Sequence, residues 1–548
     1  MHRVRRHLAL DPQRGRAQFG GSVDGEKLHG AGKPNADAGG AGHYTAPLRP
    51  VCGWQTRRPP IGHNARGCLD SAAASLLAQP SPSPMTTLVD RLSDYVAALS
   101  YPSLPGDVVH QTKRLILDTI GCALGGYASE PARIARELAA TVTATQSATV
   151  LGSGKRTSPD LATFANGVMI RYLDFNDGYT SNGESGHPSD SMAAALTVGD
   201  LMRRDGRELI VATVAAYEVF CRVCDQADLK PLGFDHVTVG GMASTAAAAR
   251  LFGLAPEPMR HAFNLGIAPN VALYQTRIGN VSMWKGCAYA NASRNAVFAA
   301  MLAERGMTGP SPVFEGVGGY FKAVTRKPFD LGPMGGGAEP FKIMQCLMKR
   351  FPLGQYSQTV AEAAIAARDK IGSIDQIAEV HVETLATAIR LMAGDAQKWE
   401  PETRETADHS MPYTVATALT YGDIADEHFD PTHLRDPKLR ELTRRVKVSE
   451  WEEANRRMPE AMLCRVTVTT RSGAKHESCV EYHRGHWRNP MSDAEVEAKY
   501  RKMALQRLPA ARVDELAERI WRLEETRDAG DILRLTVMAS PHSKDSPT

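Results

Sequence analysis

The run WKGCAYANASRNAVFAAMLAERG, residues 284–306, is alanine-rich, too long for an ordinary strand, and closed by Gly306. Those are the marks of an α-helix stopped by a C-terminal glycine. Upstream, DVVHQTKRLILDTIGCALGG (107–126) and MASTAAAARLFGL (242–254) read the same way. The many alanines and glycines leave little side chain between neighbouring helix axes, so close helix–helix contacts in a multilayer bundle are expected. The helical pattern holds from residue 86 to about 344 and begins in MTTLVDRLSDYVAAL (85–99). There Thr87 and Asp90 make a helix start, and Leu88, Leu92, Tyr95 and Leu99 form an apolar stripe.

Alternation with a period of two appears only later. AEVHVETL (378–385), CRVTVTT (464–470) and KHESCVEYH (475–483) read as strands, the last two joined by a turn at Arg471–Ala474. Helical segments such as YSQTVAEAAIAARDKIG (356–372) lie among them. After Pro490 the chain returns to helix in SDAEVEAKYRKMALQRL and ARVDELAERIWRLEE. The expected fold class is therefore mainly α. A large all-helical domain (86–344 plus 489–548) is interrupted by a smaller α+β domain (345–488). GPMGGGAEP (332–340) lacks the Gly-Lys-Ser/Thr ending of a phosphate loop and any preceding strand, so it reads as a flexible linker.

Residues 1–84 are rich in Gly, Pro, Ser and Arg, carry 11 Lys/Arg against 5 Asp/Glu, and end in QPSPSP. That is the composition of disorder, expected of a leader or over-extended N-terminus with Met85 as the natural start; an organelle transit peptide is the rival. The net charge of +3 arises in this segment, and the remaining 464 residues carry −3. Nucleic-acid binding is therefore not indicated. No apolar run reaches membrane-helix length, no secretory signal is present, and a cytoplasmic protein is expected. The nine cysteines are scattered. Cys221 and Cys224 form a lone CxxC inside a helix, and reduced, buried thiols are the better reading.

The chemistry-bearing stretch is DFNDGYTSNGESGHPSD (174–190), set between helices. As a calcium loop it fails, since the sixth position is not taken by the required glycine and position twelve is Ser185. A solvated loop and an acid–base site stay open on composition alone. Lys285 sits in a helical run, where a lysine usually snorkels to the surface. MKRFPLGQYSQ places Lys349 and Arg350 at the proposed domain junction. GFDHVTVGG places His236 in a loop before a helix, and ADHSMPYTVATAL offers Asp408, His409 and Tyr413.

Taken in order and spacing, these segments resemble the MmgE/PrpD family, which includes 2-methylcitrate dehydratase and cis-aconitate decarboxylase. The resemblance rests on LILDTIGCALGG, RYLDFNDGY…GHPSD, SMWKGCAYANASRNAVFAAMLAERGMTGP, FEGVGGYF, MKRFPLGQYSQTVAEAA, ADHSMPYTVATAL and GHWRNPMSDAEVEAKYR. It covers roughly residues 86–525 and looks most like the 2-methylcitrate dehydratase branch. The resemblance implies a helical domain with an α+β lid, a homodimer, and an active site in the cleft between the domains. It implies catalytic roles for Asp174, His187, His236, Lys285, Lys349 and Tyr413. Two departures stand out: Gly178, where such relatives have Thr, and Trp487, where a proline is more usual.

The implied reaction is dehydration of 2-methylcitrate or a related citrate-like tricarboxylic acid, as in propionate catabolism. Such a lyase removes a proton beside a carboxylate and expels hydroxide from the next carbon. Fixed cations are needed for the developing charge, a task that suits Lys285, Lys349 and Arg350. His187 and His236 suit the proton transfers, with Asp174 orienting a histidine or acting as base. No metal or other cofactor is expected, because Cys122, Cys287, Cys346, Cys464 and Cys479 lack iron–sulfur spacing. A cis-aconitate-type decarboxylase, or an epimerase or isomerase of a dicarboxylate, are the alternatives.

Overall fold

In the computed structural model, residues 86–539 are described, and the expectations for residues 1–84 lie outside them. Thr87 opens α1 (Leu88–Ala98) with a capping box: its Oγ1 accepts from the Asp90 amide, and Asp90 Oδ2 accepts from the Thr87 amide. The helix buries Leu88, Leu92 and Val96, while Tyr95 reaches out to the Gly335 carbonyl. Then follow α2 (Gly106–Gly126), α3 (Glu130–Ala139), α4 (Pro159–Arg171), α5 (Met192–Leu201) and α6 (Gly206–Gln226). The series continues with α7 (Val237–Phe252), α8 (Pro256–Ile267) and α9 (Trp284–Glu304). Gly306, at φ 87°, ends the last of these as its sequence suggests.

Small residues do the work the sequence implies. A Cβ on Gly167 of α4 would stand 2.8 Å from the Ala290 Cβ of α9, so those two helices touch nearly backbone to backbone. The described residues are mainly helical, and the larger sheet among them has four strands. Ile377–Thr384 pairs in parallel with Val446–Glu450 and antiparallel with Cys464–Thr470, which pairs with Lys475–Val480. The three segments with period-two alternation are thus strands, and Thr469 faces Lys475 across the turn. Val446–Glu450 is a strand the sequence reading passed over. It is short, at an edge, and buries only Val446, so it carries no clear alternation.

Buried apolar side chains form two main clusters. One unites α1–α9 with the C-terminal segment from Met491 to Leu533, and the other spans Leu347 to Val468. The glycine run 332–340 differs from a free linker. Glu218 Oε1 accepts from the Gly335 amide at 2.6 Å and its Oε2 from Lys342 at 2.8 Å, while Arg222 pairs with Glu339 at 2.9 Å. Charge-assisted hydrogen bonds of this kind anchor the segment to α6. Among the described residues, no helix is long and apolar enough to cross a membrane.

Candidate functional site

Asp174 follows α4 with a left-handed backbone, φ 50°, which aspartate tolerates better than most residues. The turn drives its carboxylate into the interior, where it is fully buried. Arg171, in the last turn of α4, donates to its Oδ1 at 2.7 Å. Lys285, from the first turn of α9, stands 3.2 Å from Oδ2, and Lys349 bonds both Oδ1 and the backbone carbonyl. Backbone pairing delivers Lys349 there: Leu347 exchanges two hydrogen bonds with Gly178, and the Met348 amide donates to the Gly485 carbonyl. Lys285 therefore does not snorkel; it is 3% exposed and bridges from Asp174 to Asp408.

His409 closes the cluster, with Nδ1 2.7 Å from Asp408 Oδ1 and 3.3 Å from Asp174 Oδ2. Burial alone would raise the Asp174 carboxyl. Arg171, Lys349, Lys285 and His409 outweigh it and hold the group well below the usual carboxylate range. Burial opposes ionisation of Asp408 as well, but Lys285 beside it keeps that carboxyl low. Burial, countered by Asp174 and reinforced by Arg171, brings the Lys349 ammonium down to about 8.

His187 and His236 meet edge to face, with ring centroids 5.5 Å apart. His187 Nδ1 lies 2.7 Å from the Asp177 carbonyl oxygen, which can only accept, so the proton sits on Nδ1 and Nε2 carries the lone pair. Asp177 is itself held by the Ser189 amide and the Tyr217 hydroxyl. His236 Nδ1 lies 3.1 Å from Asp235 Oδ1, and Arg277 holds the other oxygen of Asp235 at 2.9 Å. Its Nε2 is buried with no hydrogen-bond partner. Burial, with the nearby Arg171 and Lys349, keeps His187 well below the usual histidine range, and burial lowers His236 to about 3. Both rings are neutral bases at pH 7. Gly186 makes this possible, since a Cβ there would stand 2.5 Å from His236 Cδ2.

Arg171, His187, His236 and His409 line one cavity of about 60 Å³ together with Gln355 and Met392, whereas Asp174, Lys285, Lys349 and Asp408 are not part of its wall. Lys230 and Arg277 also line it, and each is tied to a carboxylate, Glu184 and Asp235. Asp174, Asp408 and His409 have ligand atoms within 4.8 Å of one another, a spacing that suits a metal ion. The Lys285 ammonium already rests against both carboxylates, so a divalent cation would have to expel it. Among the described residues no cysteine belongs to such a group.

The structure thus brings Asp174, His187, His236, Lys285 and Lys349 together. It leaves two expected residues outside. Tyr413 belongs to the second apolar cluster, its hydroxyl donating to the His428 carbonyl at 2.5 Å. Arg350 turns away from Lys349 towards Glu362 and lines a different cavity with Phe175 and Lys499. Arg171, Asp235 and Arg277 were missed altogether, and Asp408 and His409 were noted only as a loop-to-helix pair. The available signal was Arg171, three residues before Asp174, and Asp235, inside GFDH directly before His236.

Residues 90–331 match the MmgE/PrpD N-terminal domain, and residues 351–523 match the MmgE/PrpD C-terminal domain. The chain is 25% identical to a cis-aconitate decarboxylase of Homo sapiens over 471 residues, 83% of this chain and 96% of that protein. It is 28% identical over 438 residues to a 2-methylcitrate dehydratase of Cupriavidus necator, covering 74% and 87% of the two chains. A 2-methylcitrate dehydratase of Escherichia coli is 27% identical over 403 residues, covering 68% and 81%.

Proposed function

Because the chain belongs to the MmgE/PrpD family, we propose that it is a cofactor-independent lyase that dehydrates 2-methylcitrate or a related citrate-like acid. The observation that carries this reading is the unpartnered, buried Nε2 of His236, facing a cavity walled by cations. In the proposed step, His236 Nε2 takes the proton from the carbon beside a carboxylate. The C–H electron pair becomes the new C=C bond, and the C–O bond on the next carbon breaks. The departing hydroxide takes a proton and leaves as water. His187 supplies that proton through Nε2, having been charged when the acid's carboxylates settle beside it. Lys285 and Lys349, held by Asp174, stabilise the charge that builds on the substrate carboxylate once the cavity has opened to admit it.

A cavity of about 60 Å³ has room for about two waters and none for a tricarboxylic acid. The segment carrying Gln355, Met392 and His409 therefore acts as a lid that must open to admit substrate. A homodimer is part of the same proposal. Val271, Leu273, Ile278, Met283, Trp284 and Phe298 are exposed apolar residues on and beside α9, a natural face for a second copy. Decarboxylation is the second reading. It needs the same cations, and it is favoured by the match to nearly the whole length of the human cis-aconitate decarboxylase.

Incubation of the purified protein with 2-methylcitrate, citrate and cis-aconitate separates these readings. New conjugated-alkene absorbance indicates dehydration and CO2 release indicates decarboxylation. Inversion of a stereocentre without either indicates epimerisation. No conversion of any of the acids would refute the lyase reading.

A further inference from the structure

We propose that Gln355 determines substrate specificity by hydrogen-bonding the hydroxyl group of the substrate, from a place that glycine at position 178 keeps open. The proposal rests on the hydroxy-acid lyase reading above. Gln355 begins the short 3-10 turn Gln355–Ser357 that leads into the helix Gln358–Arg368. Its side chain lines the cavity, is 5% exposed, and has an Oε1 with no hydrogen-bond partner. A buried acceptor without a hydrogen bond destabilises the structure, a cost that a bound donor removes.

The other polar groups on the wall include cations, the carboxylate of Asp235, three histidines and the hydroxyls of Ser185, Tyr274 and Tyr356. Arg171, Lys230 and Arg277 are cations suited to carboxylates. Gln355 is the one carboxamide among the lining residues, and its Oε1 is a neutral, buried acceptor without a partner. On a fully ionised hydroxy acid the hydroxyl is the only hydrogen-bond donor, and Oε1 lacks a donor.

Gly178 lets the amide do this. A Cβ at 178 would stand 2.6 Å from Gln355 Oε1 and 3.2 Å from Leu347 Cδ1. Gly178 cannot shift aside, because its backbone exchanges hydrogen bonds of 2.9 and 2.8 Å with Leu347. With no side chain there, the terminal torsion of Gln355, which is broad and roughly two-fold, can turn Oε1 from Gly178 to the cavity. A larger residue at 178 would displace the amide from its seat.

The test compares citrate with propane-1,2,3-tricarboxylate, the same acid without the hydroxyl. Calorimetric titration is run on the wild-type full chain, on Gln355→Met, which keeps the side-chain length, and on Gly178→Ala. Wild type should bind citrate at least about tenfold more tightly than the deoxy acid. Both variants should bring that ratio to within about threefold, by weakening citrate binding while leaving the deoxy acid unchanged. Either variant suffices if the other fails to fold. Equal affinity of the wild type for the two acids, or an unchanged ratio in either folded variant, would overturn this proposal alone. A wild type that binds neither acid would overturn the lyase reading and this proposal with it.

Discussion

Replacing Lys285 with methionine removes the one ammonium that touches both Asp174 and Asp408 while roughly keeping its volume. At 3.2 Å, and with an effective dielectric of about 20, the attraction to Asp174 is about 5 kcal/mol before desolvation is counted. The two carboxylates do not suffer equally. Asp174 keeps Arg171 and Lys349, whereas Asp408 keeps only His409 and still faces the charge of Asp174. Loss of one partner from a buried ion cluster costs about 3–5 kcal/mol, and about 3 kcal/mol is expected at pH 8.

That deficit should depend on pH. In the wild type the Asp408 carboxyl is held low, so its contribution is intact from pH 8 to pH 5. In the variant, burial dominates and its pKa rises above the unfolded value. The folded variant then takes up a proton as pH falls, and its deficit shrinks by about 1.4 kcal/mol for each pH unit below the raised pKa. Urea unfolding of both proteins at pH 8, 6.5 and 5 reads this directly, provided the slope with denaturant is unchanged. Turnover of the acid established for the wild type should fall at least about 10²-fold. A stability loss below about 0.5 kcal/mol, the range of ordinary surface substitutions, or a deficit that does not change with pH, would refute the assignment of Lys285 as the charge that holds these carboxylates.

Gly186→Ala sets a Cβ 2.5 Å from His236 Cδ2 and 2.9 Å from Phe220 Cζ, and neither ring can bend away. Thermal unfolding should report about 1–3 kcal/mol of destabilisation, and turnover should drop because His236 is displaced. Tyr413→Phe removes only the hydrogen bond to the His428 carbonyl, so it should cost about 1 kcal/mol in unfolding experiments and leave turnover unchanged. His236 and His409 are held down to about 3 and about 4, against 6.5 when unfolded. The unfolded chain therefore binds protons first as pH falls, and each ring should cost about 2 kcal/mol of stability between pH 8 and pH 5. His409→Gln should recover its own share of that acid loss.

The local chemistry of the chain was enough to place the main helices and three strands, and the family resemblance pointed to five of the clustered residues. Alanine runs closed by glycine, the Thr87–Asp90 cap and period-two alternation all act over a few residues, so they survive in the one-dimensional pattern. Asp174, His187, His236, Lys285 and Lys349 were legible through the family's segments.

What tertiary structure alone decided is which neighbours share the cavity. Arg350 follows Lys349 directly, yet successive side chains of an extended segment point to opposite sides. Tyr413 lies four residues past His409, but the helix Met411–Tyr421 carries it into the second apolar cluster. Lys285 and Asp408 are 123 residues apart and meet only because two segments fold against each other. A buried charge is tolerated only where partners converge on it, and convergence is a property of the folded chain. The stretch from Asp174 to Asp190 carried the acid and one histidine. The cations and the second carboxylate that give them a function come from elsewhere in the fold.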